Sequence, residues 1–323
     1  MKKWQKILVI IVIIFFGLGI IKNPLIKTVV TNGASFILGA KVQIEGLSVG
    51  VFRQAVQIKG FRVYNPKGFP EGVLIDINEV SVEYDLAQIL KGKLHLPLVI
   101  LDLKEMILVR NKQGELNVDS LKVVEQAKEP ARKDESQEKK PVKQMAIQID
   151  EARLNLGKVV VKDYTGGESP VILAYNIGVT DKVYKDIRSA EKFATLLMLE
   201  AMGPAGMKGA AIYGAATVLG VAFLPAGIAG ILIGEDSSTF EYRANIDQAY
   251  KKVLGLIKDI GEVSKEDKDA HLIKANVYGS GVTLEMSQKD KKKVEVKVTA
   301  RQMMIPKQAV AEGIMYQISK ILE

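Results

Sequence analysis

The feature that most constrains the fold of this 323-residue chain is the alternation of apolar and polar residues from Gly39 to Asn65. Successive side chains of a β-strand point to opposite faces, so strict alternation predicts strands with one buried and one solvated face. The phase of the alternation slips at Gly46 and Gly60, and a glycine at such a slip is typical of a β-bulge or a sharp bend. The same pattern recurs between residues 74 and 109. We therefore expect an antiparallel sheet with one apolar face.

The inward positions of these strands are the candidate ligand-binding residues. They are Val42, Ile44, Val56, Ile58, Ile75, Ile77, Val80 and Val82. Two interpretations stay open, because the apolar face is either a groove for acyl chains or a core filled by the protein's own helices. About ten strands at a spacing of ~4.8 Å give a sheet roughly 50 Å wide, which suits the presentation or extraction of a lipid.

The segment GAKVQIEGLSVGVFRQAVQIKGFRVYNPKGFPEG resembles the N-terminal region of AsmA-like bacterial envelope proteins. The matching residues are Gly39, Ala40, Lys41, Val42, Leu47, Phe52, Ile58, Gly60, Asn65, Pro66, Gly68 and Phe69. The resemblance covers about residues 1–185. It implies a curved, AsmA-like antiparallel sheet with an apolar concave face, in a family tied to lipid handling and outer-membrane biogenesis, and it implies no catalytic residue.

The N-terminus predicts a membrane anchor, because residues 7–21 carry no charge. Lys6 and Lys22 flank this run and can extend it by snorkelling. Lysines at positions 2, 3 and 6 favour a cytoplasmic N-terminus, which places the bulk of the chain in the periplasm. We expect residues 1–38 to form a single inner-membrane helix that continues into the sheet domain. The alternative is a cleaved signal peptide.

The sheet domain is expected over residues 39–185, with a short helix from Asp85 to Gly92. It is interrupted at 123–144, where six basic and five acidic residues between 125 and 143 predict a disordered charged loop. Short strands resume at 145–149, 152–156 and 159–162 and continue to 179. Residues 181–202 have the apolar spacing of a helix.

Residues 209–234 contain no charge, which makes them a second membrane candidate within the region 186–236. Pro225 and Gly227 divide the run into pieces too short to span a bilayer. We expect an apolar helical hairpin that dips into the membrane or lies on the sheet. A full span and a packed soluble hairpin remain the alternatives. The candidate membrane-contacting residues are Val218, Leu219, Phe223, Leu224, Ile228, Ile231 and Leu232.

Residues 237–323 read as a separate small α+β sandwich. A strand and a helix, followed by an optional further strand, precede three strands and a closing helix. The element order, with Asp247, Ala249 and Lys251 at the start of the first helix, resembles small α+β domains found in bacterial envelope lipoproteins. The predicted fold class of the whole chain is therefore α+β. It combines a membrane helix, a curved antiparallel sheet, an apolar helical hairpin and this C-terminal sandwich.

The sequence offers little catalytic chemistry. It has no cysteine, and His95 and His271 each stand next to aliphatic residues, so a structural or surface role is expected for both. Nucleotide-binding and zinc-protease motifs are absent from the sequence. We expect no enzyme activity, cofactor, metal or nucleic-acid partner. The net charge of +8 suits a position near anionic lipid. The predicted function is lipid handling or envelope biogenesis, with membrane lipids and envelope proteins as partners, and the alternative is a structural protein without a ligand.

Overall fold

The protein has an α+β fold built on two mostly antiparallel sheets, which we call sheet A and sheet B. The computed structural model of the protein describes residues 23–50, 52–124, 147–203, 236–290 and 292–323. In those ranges no helix combines the length and the apolar character that crossing a membrane requires. Residues 1–22 of the anchor predicted over 1–38, residues 125–144 of the charged loop predicted over 123–144 and the apolar run 209–234 lie outside the described residues.

Sheet A contains six strands in the order β1-β2-β3-β4-β5-β6. Their bounds are β1 Val42–Gly50, β2 Ala55–Tyr64, β3 Val73–Glu83, β4 Leu94–Arg110, β5 Ile147–Asp163 and β6 Val171–Ile187. Neighbouring strands are antiparallel except for β4 and β5, which run parallel, with Leu94 opposite Ile147. A parallel pair needs a crossover that carries the chain back along the sheet. The segment between β4 and β5 is that crossover, and the sheet is therefore not antiparallel throughout.

The expectation of about ten strands is wrong, because several short predicted runs belong to one long strand. β5 alone is 17 residues long, from Ile147 to Asp163, and it joins the runs predicted at 145–149, 152–156 and 159–162 from Ile147 onward. The alternation changes phase at Gly157, where a Cβ atom would lie 2.9 Å from the carbonyl oxygen of Lys104 on β4. The glycine lets two backbones approach without ending the strand. Six strands make a sheet roughly 25 Å wide, half the expected span.

Gly60 shows how the predicted slip in β2 is accommodated. Its φ of +59° lies in the left-handed region, and a Cβ at this position would come within 2.5 Å of the Glu45 side chain. The pairing with β1 steps from Ile44↔Phe61 to Gly46↔Lys59, which leaves Glu45 and Gly60 outside the regular register. Glycine is favoured here because it adopts this backbone conformation at low cost.

Helical segments cover the apolar face of sheet A, defined as the buried side chains of its main core cluster. Helix α1, residues 23–38, lies along β1, and Val30, Ala34 and Leu38 pack against this core. A 3-10 helix at Asn117–Ser120 and helix α3, Ala190–Met202, contribute further buried residues to the same core. Helix α2, Leu86–Leu90, begins after its N-cap Asp85 within the range predicted for a helix.

Two predicted boundaries on this side of the molecule are wrong. The helix expected from residue 181 begins at Ala190, because β6 continues to Ile187 and pairs with β5 over that stretch. The charged loop is expected from residue 123, but Val123 and Val124 are buried in the main core. Pairing in the first case and burial in the second explain why apolar side chains lie beyond the predicted boundaries.

Sheet B is formed by residues 237–306 and has its own core. Its strands are β7 Ser237–Tyr242, β8 Gly261–Asp267, β9 Leu272–Val277, β10 Ser280–Asp290, β11 Lys293–Gln302 and β12 Ile305–Pro306. Strand β11 pairs with β10, β12 and β7. Helices α4, Ile246–Ile260, and α5, Gln308–Leu322, supply buried residues to this core. The predicted helices and strands of this region are present, and β8 stands at the place of the optional strand after the first helix.

Helix α5 packs against both sheets. Val310, Ile314 and Ile318 lie in the core of sheet B, whereas Tyr316 lies in a small cluster with Val160 and Ala174 on the other face of sheet A. Gly313 makes the approach possible, because a Cβ there would stand 2.1 Å from the carbonyl oxygen of Ile172 on β6. The C-terminal unit therefore has a core of its own and also docks on sheet A.

Candidate functional site

The eight candidate groove residues lie on β1, β2 and β3 and face one side of sheet A. Six are buried in the main core cluster, namely Val42, Ile44, Ile58, Ile75, Ile77 and Val80. Val56 and Val82 are half-buried and pack against the same cluster. The candidate membrane-contacting residues Val218, Leu219, Phe223, Leu224, Ile228, Ile231 and Leu232 lie outside the described residues.

Burial along this face falls from one end of the strands to the other. The cross-strand row of Val42, Val63 and Ile75 is buried. At the opposite end Leu47, Val56 and Val82 are half-buried, and we call these three residues the open end. Phe52, in the turn that joins β1 and β2 there, is 93% exposed. The apolar face is thus closed at one end and reaches solvent at the other.

Helix α1 is fixed along β1 by three hydrogen bonds to the outer edge of the strand. The Val49 backbone N–H donates to Asn23 Oδ1 over 3.3 Å, Lys27 Nζ donates to the Glu45 carbonyl over 2.9 Å, and the Val42 N–H donates to Ser35 Oγ over 3.0 Å. Asn23 therefore lies near the Val49 end of β1. The chain preceding residue 23, which contains the predicted anchor, joins the fold beside the open end.

Over β5 and β6 the apolar face is closed by helix α3. Met198, Leu199 and Met202 are buried in the main core cluster. Glu200 on the same helix is 0% exposed, and its Oε2 accepts hydrogen bonds from Lys182 Nζ at 2.5 Å and Tyr184 Oη at 2.7 Å. Burial raises the pKa of Tyr184, and its hydrogen bond to the Glu200 carboxylate adds to the shift. The tyrosine therefore stays a neutral donor, and the polar contacts tie α3 to β6.

His95 has two carboxylate neighbours that its local sequence does not reveal. Its Nε2 lies 2.7 Å from Asp150 Oδ2 on β5, and its Nδ1 lies 3.5 Å from Asp85 Oδ2. The hydrogen bond to Asp150 is the main cause of a raised pKa of His95. The aliphatic residues around His95 in the sequence do not reveal these carboxylates, because the parallel β4–β5 pair brings Asp150 next to it. His271 has one carboxylate neighbour, since its Nε2 lies 3.6 Å from Asp247 Oδ1.

These polar groups connect neighbouring elements of the fold. Asp85 caps helix α2 by accepting the Gln88 backbone N–H, and this bond is the main cause of its lowered pKa. His95 thus connects α2, β4 and β5. Among the residues that the structure describes, no group of three or more histidine, aspartate or glutamate side chains is arranged to hold a metal ion.

Comparisons of the chain with protein-family models, with curated proteins and with solved structures found no match. The AsmA-like resemblance therefore stays a prediction from the residues quoted above. What the chain does has to be argued from its own geometry.

Proposed function

We propose that this chain is a membrane-anchored envelope protein that takes a lipid acyl chain onto the apolar face of sheet A through the open end. The observation that carries the proposal is the position of the open end. Leu47, Val56 and Val82 remain half-buried at the end of the sheet where Asn23 is bound to β1. A lipid that leaves the membrane near the predicted anchor would meet these apolar side chains first.

Burial of acyl chain favours this use of the surface, since each CH₂ group removed from water contributes ~0.8 kcal/mol. The buried residues beyond the open end continue the apolar surface along β1 to β3, and helix α1 covers part of that surface. The part of the apolar face over β5 and β6, which helix α3 covers, supports a structural role instead. The proposed lipid site is accordingly confined to the first three strands, and the structural alternative applies if that half is sealed as well.

The experiment compares aspartate substitutions at three positions in the full-length, detergent-extracted protein. Val56→Asp is placed at the open end, Ile77→Asp in the buried row and Gln57→Asp on the exposed side of β2. Co-purifying lipid is quantified by mass spectrometry and folding by the denaturation midpoint. We expect Val56→Asp to remain folded and to lose its lipid, because a half-buried carboxylate keeps access to water.

Ile77→Asp serves as a measure of how costly a charge is in the sealed part of the face. We expect it to lower stability by several kcal/mol, since it buries a carboxylate without a partner. Gln57→Asp should change neither lipid nor midpoint. Wild-type protein that carries no lipid, or Val56→Asp protein that keeps its full complement, would refute the lipid proposal and favour the structural alternative.

A further inference from the structure

A cleft of about 530 Å³ lies where helix α5 and strand β7 meet the outer face of sheet A. Strand β5 contributes Lys158, β7 contributes Ser238 and Tyr242, and α5 contributes Glu312 and Tyr316. This cleft is on the opposite side of sheet A from the proposed lipid face, because Tyr316 packs with Val160 and Ala174 rather than with the main core. Clefts between packed units are common positions for small-molecule sites.

Glu312 is the unusual residue of this cleft. It is 9% exposed and lines the cleft from α5. Among the described residues, its side-chain carboxylate has neither a hydrogen-bond donor nor an ion-pair partner. Its carboxylate oxygens are not among the buried side-chain atoms that lack a hydrogen-bond partner, so they face the open space of the cleft. Glu312 therefore presents an unpaired carboxylate where a cationic group that enters the cleft would meet it.

The other walls of the cleft define what such a partner can be. Tyr242 is a neutral neighbour, since burial, followed by the charges of Glu323 and Glu312, raises the pKa of its hydroxyl. Its hydroxyl donates to Met315 Sδ over 3.2 Å, so its ring is held in place. Lys158 Nζ lies 5.9 Å from the centroid of the Tyr316 ring on the facing wall. A cation at Glu312 would thus have aromatic neighbours, and a ligand with an anionic group could reach Lys158 as well.

We propose that this cleft binds a small ligand with a protonated primary amine, and that the Glu312 carboxylate accepts hydrogen bonds from the ammonium group. Charge-assisted hydrogen bonds of this kind are the strong ones in proteins. A free amine and an aminoethyl phosphate headgroup share this chemistry. The inference is independent of the proposed lipid function, because the two sites lie on different faces of sheet A and have no residue in common.

The test uses the full-length detergent-purified protein and isothermal titration with O-phosphoethanolamine, with ethanolamine and with neutral ethylene glycol. We expect saturable binding of both amines and none of the glycol. Glu312→Gln should weaken amine binding at least tenfold. Glu285→Gln, which removes an exposed carboxylate of β10 outside the cleft, should leave it unchanged. Short-chain phosphatidylethanolamine that binds tenfold more tightly than O-phosphoethanolamine would identify a lipid headgroup as the source, and equal affinity would identify a free amine.

Thermal melting of the unliganded variants separates a binding role from a structural one. If the Glu312 carboxylate serves a ligand, Glu312→Gln melts at the wild-type temperature or above it, because the substitution removes no contact within the unliganded protein. A lower melting temperature, or wild-type protein that binds neither amine, would overturn the proposal. A loss of stability in Lys158→Gln that vanishes in the Glu312→Gln background would overturn it too, since Lys158 would then be the partner of Glu312.

Discussion

The packing of α5 on sheet A predicts that two glycine-to-alanine substitutions change the free energy of unfolding in opposite directions. Gly255 lies on the exposed side of α4, and a Cβ there would meet no atom within 4 Å. Gly313 lies on α5, where a Cβ would stand 2.1 Å from the Ile172 carbonyl oxygen and 2.9 Å from its carbonyl carbon. Alanine is favoured over glycine by ~1 kcal/mol inside a helix. Both substitutions gain this helix-forming free energy. They differ in which atoms the new methyl group contacts.

Gly255→Ala should therefore raise the free energy of unfolding by up to ~1 kcal/mol. For Gly313→Ala the contacted atoms belong to the backbone of β6, so a side-chain rotation cannot relieve the clash and α5 has to move. Overpacking of this kind costs ~1–3 kcal/mol, and the upper end applies because the helix also carries Tyr316 in its contact with Val160 and Ala174. The net expectation for Gly313→Ala is a loss of about 2 kcal/mol.

Urea denaturation followed by circular dichroism measures both changes under the same conditions. A variant that separates α5 from β6 should also release Tyr316, whose pKa is raised by burial and, after that, by the charge of Glu105. Its hydroxyl would then titrate at lower pH in a spectrophotometric titration at 295 nm. A Gly313→Ala protein that gains stability as Gly255→Ala does would refute the close packing of α5 on sheet A.

Two further predictions concern the polar contacts on sheet A. Glu200→Gln should lower the free energy of unfolding by ~2 kcal/mol, because it removes the buried charge beside Lys182, whereas exposed Glu262→Gln on β8 should have little effect in the same denaturation assay. His95→Gln should flatten the pH dependence of stability. Since the pKa of His95 is raised in the folded protein, its contribution is complete below the unfolded value of ~6.5 and is lost as the pH rises through the higher folded value. Denaturation midpoints between pH 5.5 and 8.5 measure this slope, and a slope equal in wild type and variant would contradict the assignment.

Alternation in the sequence predicts the strands of sheet A and sheet B well, because side-chain burial on one face repeats every second residue. It predicts strand ends poorly. Between residues 181 and 187 apolar Val183 and Ile187 fit the spacing of a helix as well as that of a strand. The register decides for the strand, since Lys185 lies opposite Glu151 and extends the β5–β6 pairing. Whether these residues form a helix or a strand depends on the partner strand, so their own sequence cannot predict it.

The polar contacts could not be predicted for a related reason. His95 is next to Asp150 because the crossover returns the chain to the start of β4, and the two residues are 55 positions apart in the sequence. Glu200 reads as an ordinary polar residue of an amphipathic helix until β6 is known to place Lys182 and Tyr184 beneath it. Similarly, Glu312 has a helical sequence context, and its burial arises from the docking of α5 on sheet A.

The packing of helix α1 restricts how a lipid could reach the apolar face of sheet A. Helix α1 covers part of that face with Val30 and Ala34 and also occupies the outer edge of β1 through Asn23, Lys27 and Ser35. Lifting α1 would expose apolar side chains and leave edge backbone groups without these partners at the same time. Each lost hydrogen bond costs ~0.5–1.5 kcal/mol in addition to the apolar area. Entry past Leu47, Val56 and Val82 would break none of these hydrogen bonds, so we propose the open end, rather than a movement of α1, as the path of the proposed lipid onto the sheet.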